Sequence, residues 1–503
     1  MTVRRVKTHR RAVTATLEYS TGMGRRLVLA LLLCAIAPAA ARAGELTEIN
    51  LPDRHDEIAD KWLPGYTGAP RARVLLPDGY DPAKKYPLLV LLAGLSSNYK
   101  VWSDPGEGQV AKTAPGFPGI IVMPEGASGW YTDWYNGGAR GNPAWESYEL
   151  DEVIPQILRR YRIRPQRRWH ALAGVSMGGL GTAYLGGRLP GFFGSIAVIS
   201  GLVDGHLVPV APVEGSVQSF IPETAAGADP DPEAVMGPDA GPYSYGHDPV
   251  RLAANLGQTR VFMAVGDGTP TSDGEPNPGN LVPDLPFEAA IIRPASDAYD
   301  AALTAAGVAH TYQPHGGIHD WANFRRELRD AISWGLFAPV DEHATHWVND
   351  TVATHGRLWE FRYRFDAPPT AIVRVARSGD RLTVSDAGSP VTITTDGGCV
   401  IHTATPATID VPRRACVKLR VRLAPRRAPA GRRTRVRVAV RPAVPGTVVR
   451  ARGRRVTPDA AGVAYPAVCA RDRITVRAPG FAPAHRTVRL SGRSSSARSR
   501  RGC

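Results

Sequence analysis

The sequence predicts an α/β domain with a mostly parallel sheet, followed by smaller all-β domains. Between about residues 44 and 339, short apolar runs alternate with helix-like segments, which is typical of a parallel sheet with helices on both faces. After Trp347, apolar and polar residues alternate in short runs separated by turn residues, which is typical of antiparallel strands. The 503 residues are 43% hydrophobic and 21% charged, and this ordinary globular composition excludes wholesale disorder.

The α/β domain is assigned to residues 44–345, a length sufficient for one large core. Apolar runs of four to six residues predict its strands, and longer segments with helical periodicity predict its helices. The segment 203–249 is rich in Gly, Pro, Ala and Asp and interrupts this alternation of strands and helices. A long insert of this kind is either a functional loop, such as a lid or binding loop, or an irregular loop on the surface. The predicted strands are 72–76, 88–92, 120–123, 169–173, 195–199, 260–265 and 310–313, and the clearest helices are 148–161, 296–306 and 321–337.

The last third of the chain divides into two β domains and a tail. A small β domain is predicted over 346–423 and a basic, β-sandwich-like domain over 424–490. Residues 491–503 are a Ser/Arg tail. The predicted strands of the two domains are 358–365, 371–375, 382–385, 391–394 and 417–421, then 435–440, 447–450, 474–477 and 485–490.

Residues 1–43 have the pattern of a secretory signal peptide. Arg25 and Arg26 precede an apolar run at 27–37, and Ala41-Arg42-Ala43 is an A-x-A cleavage site. The apolar run is too short to span a membrane comfortably. We expect translation to start at Met23 and the mature protein to be secreted or associated with the cell envelope.

The cysteines predict disulfides rather than a metal site. Cys34 leaves with the signal peptide, and an even number of cysteines in an exported chain allows two disulfides with three possible connectivities. No Cys/His spacing suggests zinc, and the sequence predicts neither a metal nor a cofactor. The pairing that is local in sequence joins Cys399 to Cys416 and Cys469 to Cys503.

The net charge of +15 is unevenly distributed along the chain. Residues 44–345 contain 22 Lys+Arg against 36 Asp+Glu, whereas residues 346–503 contain 31 against 9. The basic region has few aromatic residues for base stacking and no nucleic-acid motif, so we expect no nucleic-acid partner. We expect it instead to hold the protein on an anionic envelope polymer.

The strongest motif is Gly174-Val175-Ser176-Met177-Gly178. It follows a predicted strand and precedes a helix, and so tight a strand-to-helix turn projects a serine above the sheet edge. Ser176 is therefore the candidate nucleophile, which needs a base and an orienting acid. The base is expected after the last strand, where His319 is preferred over His315 and His310.

Two acids fall between the nucleophile and this histidine. Asp267 lies directly after the strand 260–265 and is slightly favoured by spacing, whereas Glu288 lies further along the chain. An oxyanion hole requires two backbone N–H donors. Met177 would supply one, and the loop 93–96 after an early strand would supply the other.

These motifs resemble, in order and over about 280 residues, the α/β-hydrolase family that joins esterase D-type enzymes with the mycolyltransferases of mycobacteria. The resemblance implies the α/β-hydrolase fold, a Ser-His-Glu triad of Ser176, His319 and Glu288 with Asp267 as the reserve acid, and an oxyanion hole at Leu95 and Met177. The matching segments are 91–95 with Trp102, 121–124 with 131–135, 145–148, 174–178, 247–249, 266–270 and 319–321.

The sequence also departs from this family. Ala93 stands where an acidic residue often precedes the oxyanion-loop glycine, and the insert 203–249 has a different composition. We therefore expect a secreted serine esterase or acyltransferase acting on an ester, acyl-lipid or acyl-sugar substrate, but not specifically trehalose or mycolate. The alternatives are mycolyltransferase-type transfer to a sugar or envelope acceptor, and a catalytically inactive envelope-binding protein.

Overall fold

A computed structural model describes residues 44–52, 70–137, 144–207, 231, 233–270, 286–411, 419–429, 431–441, 443–478 and 483–491. The α/β domain is built on an eight-stranded sheet in the order β1-β2-β4-β3-β5-β6-β7-β8. The six strands from β4 to β8 in this order are parallel, and β2 runs antiparallel to both of its neighbours. The strands are β1 Leu46–Asn50, β2 Arg71–Leu75, β3 Leu88–Leu92, β4 Ile120–Pro124, β5 His170–Val175, β6 Ser195–Ile199, β7 Arg260–Gly266 and β8 His310–His315.

Helices cover both faces of this sheet, as predicted. Alternate residues of a buried strand point to opposite faces, so Leu88 and Val90 belong to one core cluster and Leu89 and Leu91 to the other. The helices are α1 Val110–Thr113, α2 Trp145–Ser147, α3 Ile154–Arg160, α4 Met177–Arg188, α5 Pro242–Tyr245, α6 Arg293–Ala305 and α7 Trp321–Trp334, with π-helical segments at Tyr148–Val153 and Glu288–Ile292 and 3-10 turns at Val101–Ser103, Arg167–Trp169 and Ala253–Leu256.

The seven predicted strands are present with small shifts at their ends, and the prediction missed β1. This edge strand, Leu-Thr-Glu-Ile-Asn, is partly exposed along its whole length and therefore has no buried apolar run. The helix predicted at 296–306 begins earlier, because the π-helical segment Glu288–Ile292 continues directly into α6. Glu288 therefore lies on a helix.

The C-terminal region consists of antiparallel sheets around two further cores. The first core lies between the sheets β10-β11-β14-β15 and β16-β13-β12-β9. The sheets of the second core include β17-β20-β23 and β22-β21-β25-β26, and β17 pairs with β20, so this strand belongs with the residues that follow it. The strands are β9 His346–Thr351, β10 His355–Leu358, β11 Phe361–Phe365, β12 Val373–Ser378, β13 Arg381–Val384, β14 Val391–Thr395, β15 Val400–Thr403, β16 Ala407–Asp410, β17 Arg420–Ala424, β18 Arg427–Ala428, β19 Thr434–Arg435, β20 Arg437–Arg441, β21 Val448–Ala451, β22 Arg454–Val456, β23 Val463–Ala464, β24 Ala467–Val468, β25 Arg473–Arg477, β26 Ala484–Thr487 and β27 Arg489–Leu490.

Several predictions fall outside the described residues. These are the signal peptide with Cys34, residues 492–503 of the tail, Cys416 and Cys503, and residues 208–230 of the insert. Cys399 and Cys469 are both buried. The predicted disulfides that join them to Cys416 and Cys503, respectively, stay predictions. Of the helices in the described ranges, none combines the length and the apolar character needed to cross a bilayer.

Candidate active site

Ser176 occupies the sharp turn between β5 and α4. Its φ of 57° and ψ of −118° lie outside the conformations that a side-chain-bearing residue normally adopts. The turn is held in place because the Ser176 N–H donates to the carbonyl of Ile199, at the end of β6, over 3.0 Å. A Cβ on Gly174 would lie 2.3 Å from the Gly178 carbonyl oxygen, and a Cβ on Gly178 would lie 2.6 Å from that of Ala93. Both motif glycines are therefore required by close backbone contacts.

His319 and Glu288 form a direct pair. Nδ1 of His319 lies 2.5 Å from Oε2 of Glu288, whose side chain is fully buried. The other carboxylate oxygen accepts hydrogen bonds from the backbone N–H of Gly266 and from the Ser200 hydroxyl, each over 2.8 Å. An ionised carboxylate that accepts several hydrogen bonds fixes the orientation of the imidazole and leaves its Nε2 to exchange a proton.

Aromatic rings fix the plane of the His319 imidazole. The edges of Phe287 and Phe324 meet it at centroid distances of 4.9 Å each. Trp321, two residues after His319, packs instead against Trp102 at 5.1 Å and against Phe324. Phe287 directly precedes Glu288, and Phe324 directly follows Asn323. The local sequence around each phenylalanine does not indicate a contact with His319.

The reserve acid, Asp267, has a local role in the structure. It is exposed, and one of its oxygens accepts hydrogen bonds from the backbone N–H and the hydroxyl of Thr269. The hydrogen bond from the Thr269 hydroxyl lowers the pKa of Asp267. Within the described ranges, Asp267 makes no contact with His319, so the structure brings Glu288 and not Asp267 to the imidazole.

A second carboxylate–imidazole pair lies next to the first. Nε2 of His315 is 2.9 Å from Oε1 of Glu327, and Glu327 is fully buried. The Ser200 hydroxyl connects the two pairs, because it lies 2.8 Å from Glu288 Oε1 and 2.9 Å from Glu327 Oε1. Sequence reasoning missed Ser200 and Glu327. The only available signal was that Ser200 follows β6 as Ser176 follows β5, at the same edge of the sheet. The third histidine considered, His310, bonds Asp300 at 2.8 Å, away from both pairs.

Burial raises the pKa of Glu327 to about 7, and the charge of Glu288 adds to this effect, although the hydrogen bond from His315 opposes it. Burial lowers the pKa of His315, but its hydrogen bond to Glu327 and the charge of that carboxylate outweigh burial and raise the pKa overall. The pair His315–Glu327 therefore retains a proton to a higher pH than an isolated glutamate would.

The two predicted oxyanion-hole residues are next to Ser176 or next to a residue that packs against it. Met177 contributes the first N–H of α4, one of the donors that a helix leaves without an intrahelical acceptor. Leu95 follows Gly94, whose added Cβ would lie 3.5 Å from the Ser176 Cβ. The hydroxyl of Tyr131 lies 3.0 Å from both the N–H and the carbonyl oxygen of Ala93, and this contact holds the loop against the sheet.

A cavity of about 1330 Å³ in the described part of the chain does not contain these residues. It lies between the α/β domain and the first β domain, and its walls include Leu158, Tyr243, Arg362 and Trp359. Neither Ser176 nor Glu288 nor His319 lines it.

One group in the described part of the chain could hold a metal ion. Ligand atoms of Asp204, His206 and Asp248 lie within 4.8 Å of one another. These residues already form a hydrogen-bonded network. Nδ1 of the His206 ring lies 3.0 Å from an Asp248 carboxylate oxygen, and the backbone N–H of His206 donates to the Asp204 carboxylate. The other ring nitrogen faces the Asp239 carbonyl and the Ser244 hydroxyl. The network accounts for the group without an ion.

The sequence resembles known esterases over part of its length. A sequence model of the family described as "Putative esterase" matches residues 67–334. Esterase Rv1288 of Mycobacterium tuberculosis is 31% identical over 152 residues, which cover 29% of this chain and 31% of that protein. An endo-1,4-beta-xylanase/feruloyl esterase of Xylanibacter ruminicola is 32% identical over 143 residues, which cover 26% of this chain and 19% of that protein. The chain thus spans less than a third of the length of the curated relatives it matches.

Solved structures show more distant likenesses. MPT51 (FbpC1) of Mycobacterium tuberculosis is 17% identical, with a TM-score of 0.43, over 58% of this chain and 98% of that chain. A ferulic acid esterase is 19% identical, with a TM-score of 0.39, over 59% of this chain and 98% of that chain.

Proposed function

Because the chain belongs to the "Putative esterase" family, we propose that it is a serine carboxylic-ester hydrolase or acyltransferase that works through an acyl-enzyme. Ser176 is the nucleophile, His319 the general base and Glu288 the acid that orients the imidazole. The observation that carries this proposal is the 2.5 Å contact between buried Glu288 and Nδ1 of His319, which leaves Nε2 to take the proton of Ser176.

In the first half-reaction, the Ser176 hydroxyl oxygen attacks the ester carbonyl carbon while His319 Nε2 accepts the hydroxyl proton. The N–H groups of Met177 and Leu95 stabilise the negative charge that develops on the carbonyl oxygen. The imidazolium then protonates the leaving alkoxide, and ionised Glu288 stabilises the positive ring until that proton is transferred. In the second half-reaction, water or an acceptor alcohol gives its proton to His319 Nε2 and attacks the acyl carbonyl carbon. The bond from this carbon to the Ser176 oxygen then breaks, and the imidazolium returns the proton to that oxygen, which releases the acid or the new ester.

Labelling with a fluorophosphonate probe tests the nucleophile directly. The wild-type protein should be labelled and should cleave short acyl nitrophenyl esters, whereas Ser176→Ala should do neither. Ser378→Ala, which removes an exposed hydroxyl from β12, is the matched control and should behave like the wild type. Labelling of Ser176→Ala, or an unlabelled wild-type protein as expected for an inactive envelope-binding protein, would overturn the proposal.

Transfer to a sugar or envelope alcohol is the second candidate reaction, and the resemblance of the motifs to those of mycolyltransferases supports it. Hydrolysis and transfer share the acyl-enzyme and differ only in the second nucleophile. Product analysis with an ester chain-length series, with and without sugar acceptors, separates them. A new ester whose yield rises with acceptor concentration indicates transfer, and release of the free acid alone indicates hydrolysis.

We also propose that the protein is exported, contains two disulfides and is held at the cell envelope by its basic C-terminal region. The signal-peptide pattern of residues 1–43 and the charge of residues 346–503 support this proposal. Native protein should begin at Gly44 and contain no free thiol before reduction. An N-terminus upstream of the predicted cleavage site, or freely titrating thiols, would contradict it.

A further inference from the structure

The outer face of the sheet β22-β21-β25-β26 is covered by arginines. Arg455, Arg450, Thr475 and His485 form one row across the four strands, because each is paired directly with the next. Arg473 and Arg477 lie on the same face, two residues before and after Thr475. We call the four arginines, with Thr475 and His485, the arginine face.

This face has no compensating negative charge. All four arginines are exposed, and none has a carboxylate within ion-pair distance in the part of the chain that the structure describes. Residues 419–491 contain 18 arginines, no lysine and two acidic residues, Asp459 and Asp472. Of these, Asp472 pairs with Arg452, off the face.

The arrangement is unfavourable without a ligand. Like charges directly opposite each other on neighbouring strands, such as Arg450 and Arg455, destabilise a sheet. His485 is affected by the same repulsion, since partial burial and then the positive charges of Arg473 and Arg477 lower its pKa. An anion bound to the face would reduce the repulsion between the arginines and the effect of their charges on His485.

We propose that the arginine face binds an extended polymer that carries phosphate groups and no bases. This deepens the proposed attachment to the cell envelope and does not depend on the ester chemistry of Ser176. Outward residues of a strand repeat about every 7 Å and neighbouring strands lie about 5 Å apart, so the guanidinium groups suit a chain of regularly spaced charges rather than a single small anion.

The residue types suit a phosphate polymer. Arg binds phosphate through paired, charge-assisted hydrogen bonds, and the oxygens of one phosphate can also bridge guanidinium groups from neighbouring strands. Nucleic acid is disfavoured because single-stranded bases stack on aromatic rings. Tyr465 is the one Phe, Tyr or Trp in the described part of 419–491, and it does not lie on this sheet.

Binding of inorganic polyphosphate to the full chain tests the proposal. We expect salt-dependent binding that Arg450→Gln/Arg473→Gln/Arg477→Gln weakens roughly tenfold or more, with a salt slope reduced by about 2 to 3. The matched control, Arg159→Gln/Arg160→Gln/Arg162→Gln, removes the same exposed charge from the α/β domain and should bind like the wild type. Both variants should keep wild-type turnover of a soluble ester, which separates this test from that of the active site. A far-UV circular dichroism spectrum and a thermal unfolding profile like those of the wild type show that the basic domain of the triple variant is folded.

The second readout is the imidazole of His485, followed by NMR in selectively labelled protein and assigned with His485→Gln. Its pKa should rise when polyphosphate binds, because the ligand cancels the charges of Arg473 and Arg477, and the triple variant should not show this rise. The proposal is overturned by no binding, by equal losses in variant and control, or by an unshifted His485. Equally tight binding of polygalacturonate, tighter binding of single-stranded DNA, or binding of anionic lipid vesicles alone would overturn the assignment to a phosphate polymer.

Discussion

Two buried carboxylates share one hydroxyl at the candidate active site. Ser200 has a single proton to donate, yet its oxygen lies within 3 Å of both Glu288 and Glu327. One of the two carboxyl groups must therefore hold a proton to make the second contact favourable. Burial raises the pKa of Glu327 to about 7, so we expect Glu327 to hold this proton below that pH.

Replacing the two candidate acids in turn separates their roles. We expect Glu288→Gln to lower kcat by about 10³- to 10⁴-fold, because an amide no longer stabilises the imidazolium or fixes its tautomer. Asp267→Asn should leave kcat close to the wild-type value, since in the described part of the chain Asp267 accepts hydrogen bonds from Thr269 in its own loop and makes none with His319. Steady-state kinetics on a nitrophenyl ester checks both, and the reverse ranking would make Asp267 the acid.

Glu327 makes stability depend on pH. The pKa of its carboxyl rises from 4.5 to about 7 on folding, so the folded state binds more protons than the unfolded state between these values. Stability should therefore fall as pH rises from 5 to 8, and the raised pKa of His315 acts in the same direction. In Glu327→Gln both contributions disappear, and the fall in Tm between pH 5 and pH 8 should be smaller than in the wild type.

The control for this experiment is Glu233→Gln, which changes an exposed glutamate and should reproduce the wild-type pH dependence. Equal pH dependence of Tm in Glu327→Gln and in the wild type would show that Glu327 is ionised throughout this range. The proton assignment around Ser200 would then be wrong.

At the scale of elements, the turn from β5 to α4 positions the nucleophile by backbone contact. Gly178 lies against the carbonyl oxygens of Ala93 and Leu92, which belong to the strand end that carries the predicted oxyanion loop. The turn and the loop are therefore one packed unit, and a methyl group between them must displace one or the other.

Gly178→Ala is expected to lower kcat and to destabilise the protein by about 1–3 kcal/mol, because its Cβ would lie 2.6 Å from the Ala93 carbonyl oxygen. Gly257→Ala is the matched control, since its Cβ would be 3.4 Å from the nearest atom and its φ is helical. Kinetics and thermal unfolding check both. A fully active Gly178→Ala enzyme would show that the turn and the loop move independently.

The way in which α6 begins explains why helical periodicity did not place Glu288 on a helix. Helical periodicity predicted a helix only from residue 296, whereas Pro294 lies in the first turn of α6, a position where proline normally begins a helix. The π-helical segment before it extends the helix backwards to Glu288. This extra turn directs a carboxylate at His319, and no periodicity in the sequence indicates it.

At the scale of the whole molecule, the first β domain supplies hydrogen-bond partners for buried polar residues of the α/β domain. Arg188, at the end of α4, is buried between Glu146 and the β domain, where it donates to the Tyr363 hydroxyl and the His355 carbonyl. Burial raises the pKa of Glu146, but the charge of Arg188 and the contacts of His247 and Tyr184 together outweigh burial and keep the pKa well below its usual range. Asn255 adds a pair of hydrogen bonds to the backbone of Asp350.

Two truncations test this dependence. A chain ending at Val411 keeps the first β domain and removes the basic one, and it should retain the ester turnover and Tm of the α/β domain. A chain ending at Thr345 exposes the Arg188–Glu146 pair and removes its partners, so we expect a lower Tm and aggregation. Equal stability of the two truncated proteins would show that the contacts of Arg188 with the β domain contribute little.

The sequence by itself determined the α/β core, the nucleophile turn and the histidine, because strand periodicity and turn chemistry are local properties of the chain. The resemblance to a known family added Glu288. Only the tertiary structure decided which groups surround these residues: Ser200 meets Glu288 and Glu327 across 88 and 127 residues of chain, and Phe287 and Phe324 enclose the imidazole. The net charge of +15 likewise indicated a basic region, but strand register alone arranged four of its arginines on one face. Such contacts depend on which strands and helices become neighbours, and no local pattern records this.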